Sequence, residues 1–482
     1  MNITASLTGA MAATVLLALA QSAHADAGID YAEALRRVRT AGGAVNGARL
    51  DYQAKQLQAE ALRRIDGPDL RLSGFIGRVS TTLSVDTSPI GQAVNPLLDA
   101  LPPLPGLTLP DLPPVLNVER VFDVRTVGLN TIWPLYTGGR LDAVKQIAAG
   151  RADEAGAGVQ AALDEASTLL AQRYFTVQLA KRAWQLRGAA AALAREHQRM
   201  ALKMERSGLI AKVERLKADV AVDNAVREAA KAGSDLEIAR LALRRLLDAP
   251  GAVAPTTPLF VHDHPPGSLA SFIDAAKASN AAWKQIDSKR KQADGALRLQ
   301  GRAFSPTVVG VANYNLNRGG ASGANWLVGV SVSVPLIERI DRARMTAAAR
   351  LEQQRVEVIA EQAGRDIPTL AESQWRAMED ARQRYLAMGA AIELAHETLR
   401  LAQVGFEHGQ ATSTDVADAS LNVTKSSLER AQAAYDYVLA LARLLGTSGE
   451  PERLAVLAKS ATHVVDLAVD LDADPAADPA KD

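Results

Sequence analysis

The chain reads as a mainly α-helical protein with a small transmembrane β part, built as a duplicated helix-strand-strand-helix-helix unit. Three observations predict this. In Asn325–Arg342, NWLVGVSVSVPLIERIDR, residues Trp326, Val328, Val330, Val332 and Val334 alternate with Leu327, Gly329, Ser331 and Ser333. That period of two is expected where one strand face meets an apolar phase. Pro335 then removes a ladder donor and the sequence turns charged and Ala-rich, so a strand runs almost directly into a long helix. The join recurs in Val127–Arg140, VGLNTIWPLYTGGR, where Pro134-Leu135 matches Pro335-Leu336 at an offset of 201 residues.

Composition bounds the function class. Only 4% of the 482 residues are aromatic, thin for several compact cores, and extended helices are the better use of the chain. Lys+Arg and Asp+Glu are both 54, so bulk electrostatics point to no nucleic acid. There are no cysteines, which excludes disulfides and thiolate metal sites. Residues 1–25 read as a signal peptide: Met11–Ala20 is an apolar run, and Ala23-His24-Ala25 has the small-x-small form of a cleavage site, although residues 1–20 lack Lys and Arg. Beyond it, no segment approaches ~18 consecutive apolar residues. If the mature chain crosses a membrane, it does so with strands.

The first repeat, 26–249, begins with an Ala-rich helical pattern over Asp30–Ile65, ended by Gly67-Pro68. Asp69–Leu83 follows as a strand, with Leu70, Leu72 and Ile76 set against Arg71 and Ser73. The block 86–117 is interrupted by prolines that deny helix and ladder hydrogen bonds, and is expected to be a loop, either mobile or lying over a barrel mouth. Val118–Leu135 resumes a strand whose alternation slips near Thr126-Val127, a place for a bulge or a change of environment. Leu141–Met204 is then one long helix, Ser207-Gly208 a turn, and Leu209–Leu247 the return helix. A linker, 250–268, carries VHDHPP and is expected to be solvated. The second repeat, 269–449, repeats the order: helix Leu269–Gly301, strands Thr307–Asn317 and Asn325–Leu336, helix Ile337–Phe406, turn Glu407–Thr412 and helix Ser413–Leu445. Gly208 and Gly409 stand at the same offset as the prolines, so the long helices match in length, about 100 Å each. Residues 450–482 form a C-terminal tail, whose acidic end, Asp470–Asp482, is expected to be disordered.

Heptads show what the long helices pack against. Met378, Ala381, Tyr385, Met388, Ile392, Ala395, Leu399, Ala402 and Phe406 hold an a/d pattern, and Leu421, Leu428, Tyr435 and Ala442 repeat by sevens on the return helix. These predict an antiparallel coiled coil. The first-repeat seam, with Leu163, Leu170, Val177 and Trp184, is looser because Arg173 and Arg187 occupy partner positions. Pro368 is expected to kink or interrupt its helix.

On the third strand, Val308, Gly310, Ala312, Tyr314 and Leu316 share one face and Asn313, Asn315 and Asn317 the other. Four such strands suit an outer membrane, where open sheet edges cannot be left unpaired, and bacterial barrels begin at about eight strands. Closure therefore requires several identical chains. Trp326, Tyr314, Trp133 and Phe75 are candidate membrane-interface aromatics.

The ordered set of repeats, the strand–Pro–Leu–helix junction found twice and the glycine turn before each return helix resemble the TolC-like outer-membrane factors. The resemblance covers most of Asp30–Gly449. It implies a homotrimer in the outer-membrane lipid, whose 12-stranded β-barrel continues as a long α-helical barrel across the periplasm. It further implies a periplasmic adaptor and an inner-membrane transporter as partners, with efflux or type I secretion as the function. GQATSTDVADA, Gly409–Ala419, resembles the family's turn at the periplasmic entrance, where Asp415 and Asp418 match carboxylates facing the narrowed lumen. Glu214 stands at the Asp415 position of the first repeat, but Lys217 stands at the Asp418 position. Ala411 replaces a basic residue that ties neighbouring helices in some members. Gly208 and Gly409 are expected to permit positive φ and to mark adaptor-docking tips.

Other readings are weaker. Asp415 and Asp418 also suit a helix N-terminus, with Ser413 or Thr414 as the cap. A soluble periplasmic coiled-coil adaptor or scaffold uses the same heptads, but does not account for four half-apolar strands. No nucleophile elbow or phosphate-cradling loop points to an enzyme or a cofactor. His262-Asp263-His264 lacks a third nearby ligand, so no metal is assigned.

Overall fold

The computed structural model describes residues 27–99, 113–316, 326–337 and 339–465. The signal-peptide stretch, the turn between the third and fourth barrel-type strands, part of the Pro-rich block and the acidic end Asp470–Asp482 lie outside the described residues.

From the N-terminal side, β1 (Ala27–Ile29) leads into α1 (Tyr31–Ala41) and α2 (Gly43–Ala61). The pattern predicts one helix over Asp30–Ile65, but the chain breaks at Gly42, whose backbone is extended and whose N–H caps Val38 O. Asp30 caps the start, accepting from Glu33 N at 2.7 Å. β2 (Asp69–Asp86), α3 (Ser88–Asp99) and β3 (Val115–Tyr136) follow. Helix α3 corrects the expectation of a loop throughout 86–117. Pro89 falls in the first turn, where a missing N–H costs nothing, leaving Pro96 as the one internal defect. α4 (Arg140–Arg206) and α5 (Lys212–Leu246) form the first long hairpin.

Two short strands, β4 (Val253–Pro255) and β5 (Phe260–Val261), join the repeats. α6 (Leu269–Ser279) and α7 (Ala281–Gly301) again replace one predicted helix. Asn280 makes the break, its side-chain oxygen accepting from Ala282 N and its amide donating to Thr447 O, both at 2.9 Å. Both repeats therefore open with an 11-residue helix and a break, a duplication the apolar pattern conceals. β6 (Thr307–Asn315), β7 (Trp326–Ser333), α8 (Arg342–Glu407), α9 (Ser413–Thr447), α10 (Arg453–Lys459) and β8 (His463–Val464) complete the chain. The expected match in length holds: α4 and α8 have 67 and 66 residues, and α5 and α9 have 35 each. α8 runs through Pro368 without interruption. Beside the proline, the Thr369 hydroxyl donates to Arg365 O at 2.8 Å.

The chain divides into a helical unit, Met1–Ala59 with Ile147–Asp294 and Leu351–Asp482, and a strand unit, Glu60–Gln146 with Gly295–Arg350. The strand unit is a four-stranded sheet in the order β2-β3-β6-β7, antiparallel throughout. Register sets the faces. Leu72, Leu129, Tyr314 and Trp326 form one cross-strand row, and Leu70, Ile76, Val328, Val330 and Val332 share its side. The opposite side carries a polar ladder in which Asn130 donates to Ser73 and Asn313 donates to Asn130. β2 and β3 pair without a bulge along their full length, whereas β6 pairs with β3 only from Gly128 onward. The slip at Thr126-Val127 is thus a change of environment. On its N-terminal side β3 has only β2 as a neighbour among the described residues, and apolar Val79, Leu83 and Val118 fall on the other side.

The helical unit centres on Tyr31, Tyr174, Phe175, Phe260 and Tyr437, all buried, with Tyr31 and Tyr174 edge-to-face at 5.5 Å and Phe175 meeting Phe260 at 6.0 Å. β1 pairs with β4 and β5 with β8. The expectation of a solvated linker is therefore wrong: Leu259, Phe260 and Val261 are buried, His262 Nδ1 lies 2.9 Å from Tyr437 OH, and Asp263 pairs with His463 at 2.6 Å. The first part of the C-terminal tail is ordered as helix Arg453–Lys459 and strand His463–Val464. Along the second hairpin Met378, Ala381, Tyr385, Ala395, Leu399 and Phe406 are buried as the heptad predicts. Leu421 is 67% exposed, and Val416, Ala419 and Val423 fill the seam instead. A straight helix drifts by ~20° per heptad, which rotates a strict seven-residue row off the interface. In the first hairpin Leu170 and Val177 are buried while Trp184 is exposed.

Tyr174 ties this core together. Its hydroxyl donates to Ile29 O at 2.8 Å and accepts from Thr256 N and Thr257 N at 3.0 and 2.8 Å. Thr256 N also donates to Ile29 O at 3.0 Å, so Tyr174→Phe removes three hydrogen bonds but strands only the Thr257 N–H, and is expected to lower stability by ~1–3 kcal/mol. A downward shift of the thermal transition, followed by circular dichroism, checks it.

Candidate functional site at the hairpin tips

Both long hairpins turn on a glycine in the left-handed region, Gly208 with φ 75° and Gly409 with φ 73°. A Cβ at either position meets nothing within 4 Å, so backbone conformation alone calls for glycine. Leu209 N donates to Met204 O and Gln410 N to Gly405 O, closing the helix ends. Beneath the turns, Ala201, Met204, Ala218, Leu399, Phe406, Val416 and Ala419 form one small core drawn from all four hairpin helices.

The three predicted carboxylates differ in what they do. Asp415 completes a capping box: its carboxylate accepts from Thr412 N and from the Thr412 hydroxyl, both at 2.7 Å, while that hydroxyl accepts from Asp415 N. The cap is Thr412, one residue before the expected Ser413 or Thr414. These hydrogen bonds hold the Asp415 carboxyl below its ordinary range. Glu214 belongs to the first repeat but caps the second, accepting from Ser413 N at 2.9 Å and from Lys217 Nζ at 2.9 Å. Its carboxyl is also lowered, first by Lys217 and then by the Ser413 N–H. The Lys217 that stands opposite Asp418 in the repeat alignment is thus the ion-pair partner of Glu214. Asp418 is exposed and lines a groove of about 420 Å³ between α5 and α9, together with Lys217, Val220, Leu421 and Lys425. Asp415 and Asp418 sit three residues apart on one helix, but only Asp418 lies outside the cap.

Sequence reasoning missed two features of the tips. Arg215 bridges Glu205 at 2.7 Å and also pairs with Asp219, which accepts from Gln198 at 2.8 Å and so ties α5 to α4. His197 packs on Phe406 with ring centroids 4.4 Å apart, and its Nε2 is buried without a partner among the described residues. Neither has a local motif, since each joins residues from different helices.

Among the candidate aromatics, register places Tyr314 opposite Trp326, with Trp133 on the same face about 13 Å along the strands. The Trp133 indole donates to Asp66 O at 3.1 Å. Phe75 stands apart from these three. It pairs with Thr126 and lies on the opposite face, because the odd positions of β2 point away from the Leu72–Trp326 row.

Two outcomes follow from the tips. Gly409→Ala is expected to cost ~1–2 kcal/mol locally through positive φ, and Gly409→Asn less. Faster hydrogen exchange in peptides spanning the turn checks this. Burial pushes the His197 imidazole below its ordinary value, although Glu214 acts in the other direction. A depressed imidazole favours packing above about pH 6.5 and loses that contribution as the pH falls through its folded value. Protection at the tips, corrected for the intrinsic pH dependence of amide exchange, is therefore expected to fall as the pH drops below about 6.5 in the native chain and to stay level in His197→Leu.

A sequence search of the curated proteins finds no match. Several solved structures share the fold. CusC superposes with a TM-score of 0.71 at 16% identity, covering 89% of this chain and 95% of its own. The CmeC outer membrane channel of Campylobacter jejuni gives 0.71 at 14% identity, covering 87% and 86%. The open-state MtrE outer membrane channel of Neisseria gonorrhoeae gives 0.68 at 19% identity, covering 87% and 89%. The family model described as outer membrane efflux protein matches residues 43–249, within the first repeat. That match lies on one repeat and the same unit is built again 201 residues on, so the chain is similar to the outer membrane efflux proteins over its first repeat and shares the fold of outer membrane channels across both.

Proposed function

We propose that this chain is the outer-membrane exit duct of a tripartite efflux or type I secretion system, a passive conduit that works as a homotrimer. The observation that carries the proposal is the sheet. It has four strands, one apolar side, one polar side, and two edges, β2 and β7, with no partner strand among the described residues. In hydrocarbon each open edge leaves unpaired backbone groups, and four strands are too few to close on themselves. Three copies joined β7 to β2 make twelve strands, with the Leu72–Trp326 face toward lipid and the Asn130–Asn313 ladder toward water. The helical hairpins then extend into the periplasm, where a periplasmic adaptor engages the turns at Gly208 and Gly409 and an inner-membrane transporter selects the cargo.

At the tips, Asp415 and Asp418 supply two carboxylates per chain toward the entrance, six in the trimer, and a ring of that kind attracts cations. Glu214 is spent on Ser413 and Lys217, so its part is to hold the two hairpins together. Asp418 is the freer charge of the pair.

An exit duct appears in the outer-membrane fraction as a trimer that dissociates on heating, whereas a periplasmic scaffold appears as a soluble species. Recovery of a detergent-free monomer overturns the duct. In planar bilayers, Asp415→Ala with Asp418→Ala is expected to raise single-channel conductance and weaken block by multivalent cations. Asp415→Asn, which keeps an acceptor for Thr412, separates loss of charge from loss of the cap. Unchanged conductance and block remove the carboxylate assignment but leave the duct.

A further inference from the structure

The β2–β3 hairpin outgrows the sheet it belongs to. β2 and β3 pair without a gap from Asp69 with Ile132 to Asp86 with Val115, whereas β6 reaches along β3 only to Val127, whose carbonyl accepts from Leu316 N at 2.8 Å. Above that point the stem, 75–86 with 115–126, has no third strand among the described residues. At ~3.3 Å per residue it is about 40 Å long.

The two sides of the stem exchange character at Ile76. On the side that carries Leu70, Leu72 and Ile76, Arg78 next bridges Asp123 at 2.9 Å, the Ser80 hydroxyl donates to Glu119 at 2.7 Å, and Thr82, Ser84 and Asn117 follow. Val121 is the one aliphatic residue in those rows. The opposite side, which below carries the Asn130–Asn313 ladder, presents Phe75, Val79, Leu83, Val85, Leu116 and Val118, all exposed. Leu83 is the most open of them, at 63%. Arg120 is the single charge there, and a side chain of that length carries its guanidinium clear of a packed stem. Helix α3 leaves this side uncovered and turns Ile90 and Leu97 to solvent as well. Because the side that is apolar below is the charged one above, hydrocarbon that meets Leu72 and Trp326 does not cover Leu83 and Val118.

We propose that the apolar sides of three β2–β3 stems pack on one another at the axis of the trimer, so that each covers the same face of its two neighbours and the outer mouth is narrowed. The inference rests on the homotrimeric duct, in which the Asn130–Asn313 side of every sheet faces the common axis. Twelve strands ~4.8 Å apart and tilted by ~40° make a ring about 24 Å across. Apolar sheets pack ~10 Å apart, which sets three stems about 6 Å from the axis. Each stem then leans inward by about 6 Å over its length, a tilt of about 9°. Phe75, whose ring lies over Gly77, forms the base of this cluster, which accounts for an aromatic on the side away from Trp326.

The chain contains no cysteine, so single replacements report cleanly in the full-length trimer. Leu83→Cys is expected to link two chains through a short bis-maleimide, and Ser84→Cys, its neighbour on the charged side, to stay unlinked on denaturing gels. Leu83→Ser with Val118→Ser is expected to raise single-channel conductance several-fold while the heat-sensitive trimer persists. A trimer in which Leu83→Cys fails to link, or links no better than Ser84→Cys, overturns the proposal and leaves the duct standing; unchanged conductance in the double serine variant overturns it too. Quenching of a bimane on Leu83→Cys by brominated lipid also overturns it and assigns the apolar side to the bilayer. Recovery of the chain only as a monomer overturns both readings.

Discussion

The structure depends on one constraint: a backbone N–H or C=O placed in hydrocarbon must find a partner in protein. Among the described residues the four strands satisfy one another internally and leave two edges. Each edge costs several kcal/mol for every unpaired group in lipid, far more than side-chain packing recovers. An exposed apolar face with open edges is an aggregation hazard in a soluble protein and an assembly signal in a membrane.

Duplication gives the two repeats equal lengths, yet the tips are not equivalent. Thr412 and Asp415 cap the second return helix from within, whereas the first return helix begins at Lys212 with no side-chain cap. Glu214, at the position equivalent to Asp415, instead reaches across to Ser413 of the other repeat. Equivalent acidic positions thus serve in one copy as an internal cap and in the other as a brace between hairpins. Lys217 balances the brace, which is the physical sense of a basic residue where the second repeat has Asp418.

The long-range order of the fold was legible because it rests on local signals: strand alternation, proline after the strand, heptads and turn glycines. The misses share a cause. Ser88–Asp99 forms a helix despite two prolines, because one of them falls where no donor is needed. Phe260, Val261 and His262 look like linker, since only the distant Tyr437 and His463 make them core. Leu421 fits a seven-residue row, but the helix turns it outward and Val423 inward. Phe75 is aromatic like Trp326 and Tyr314, yet register alone decides that it faces the other way.

By itself the sequence determined the repeats, the order of the long elements and the equal hairpin lengths, because each follows from periodicity or from turn and breaker residues. Tertiary structure decided which carboxylate is a cap, which is a brace and which lines a groove, and it turned a proline-flanked connector into the centre of the helical unit. Those outcomes hang on contacts between residues some 200 positions apart, such as Glu214 with Ser413 and Asp263 with His463. No local period records a contact of that kind, since only the packed helices bring its two ends within hydrogen-bonding distance.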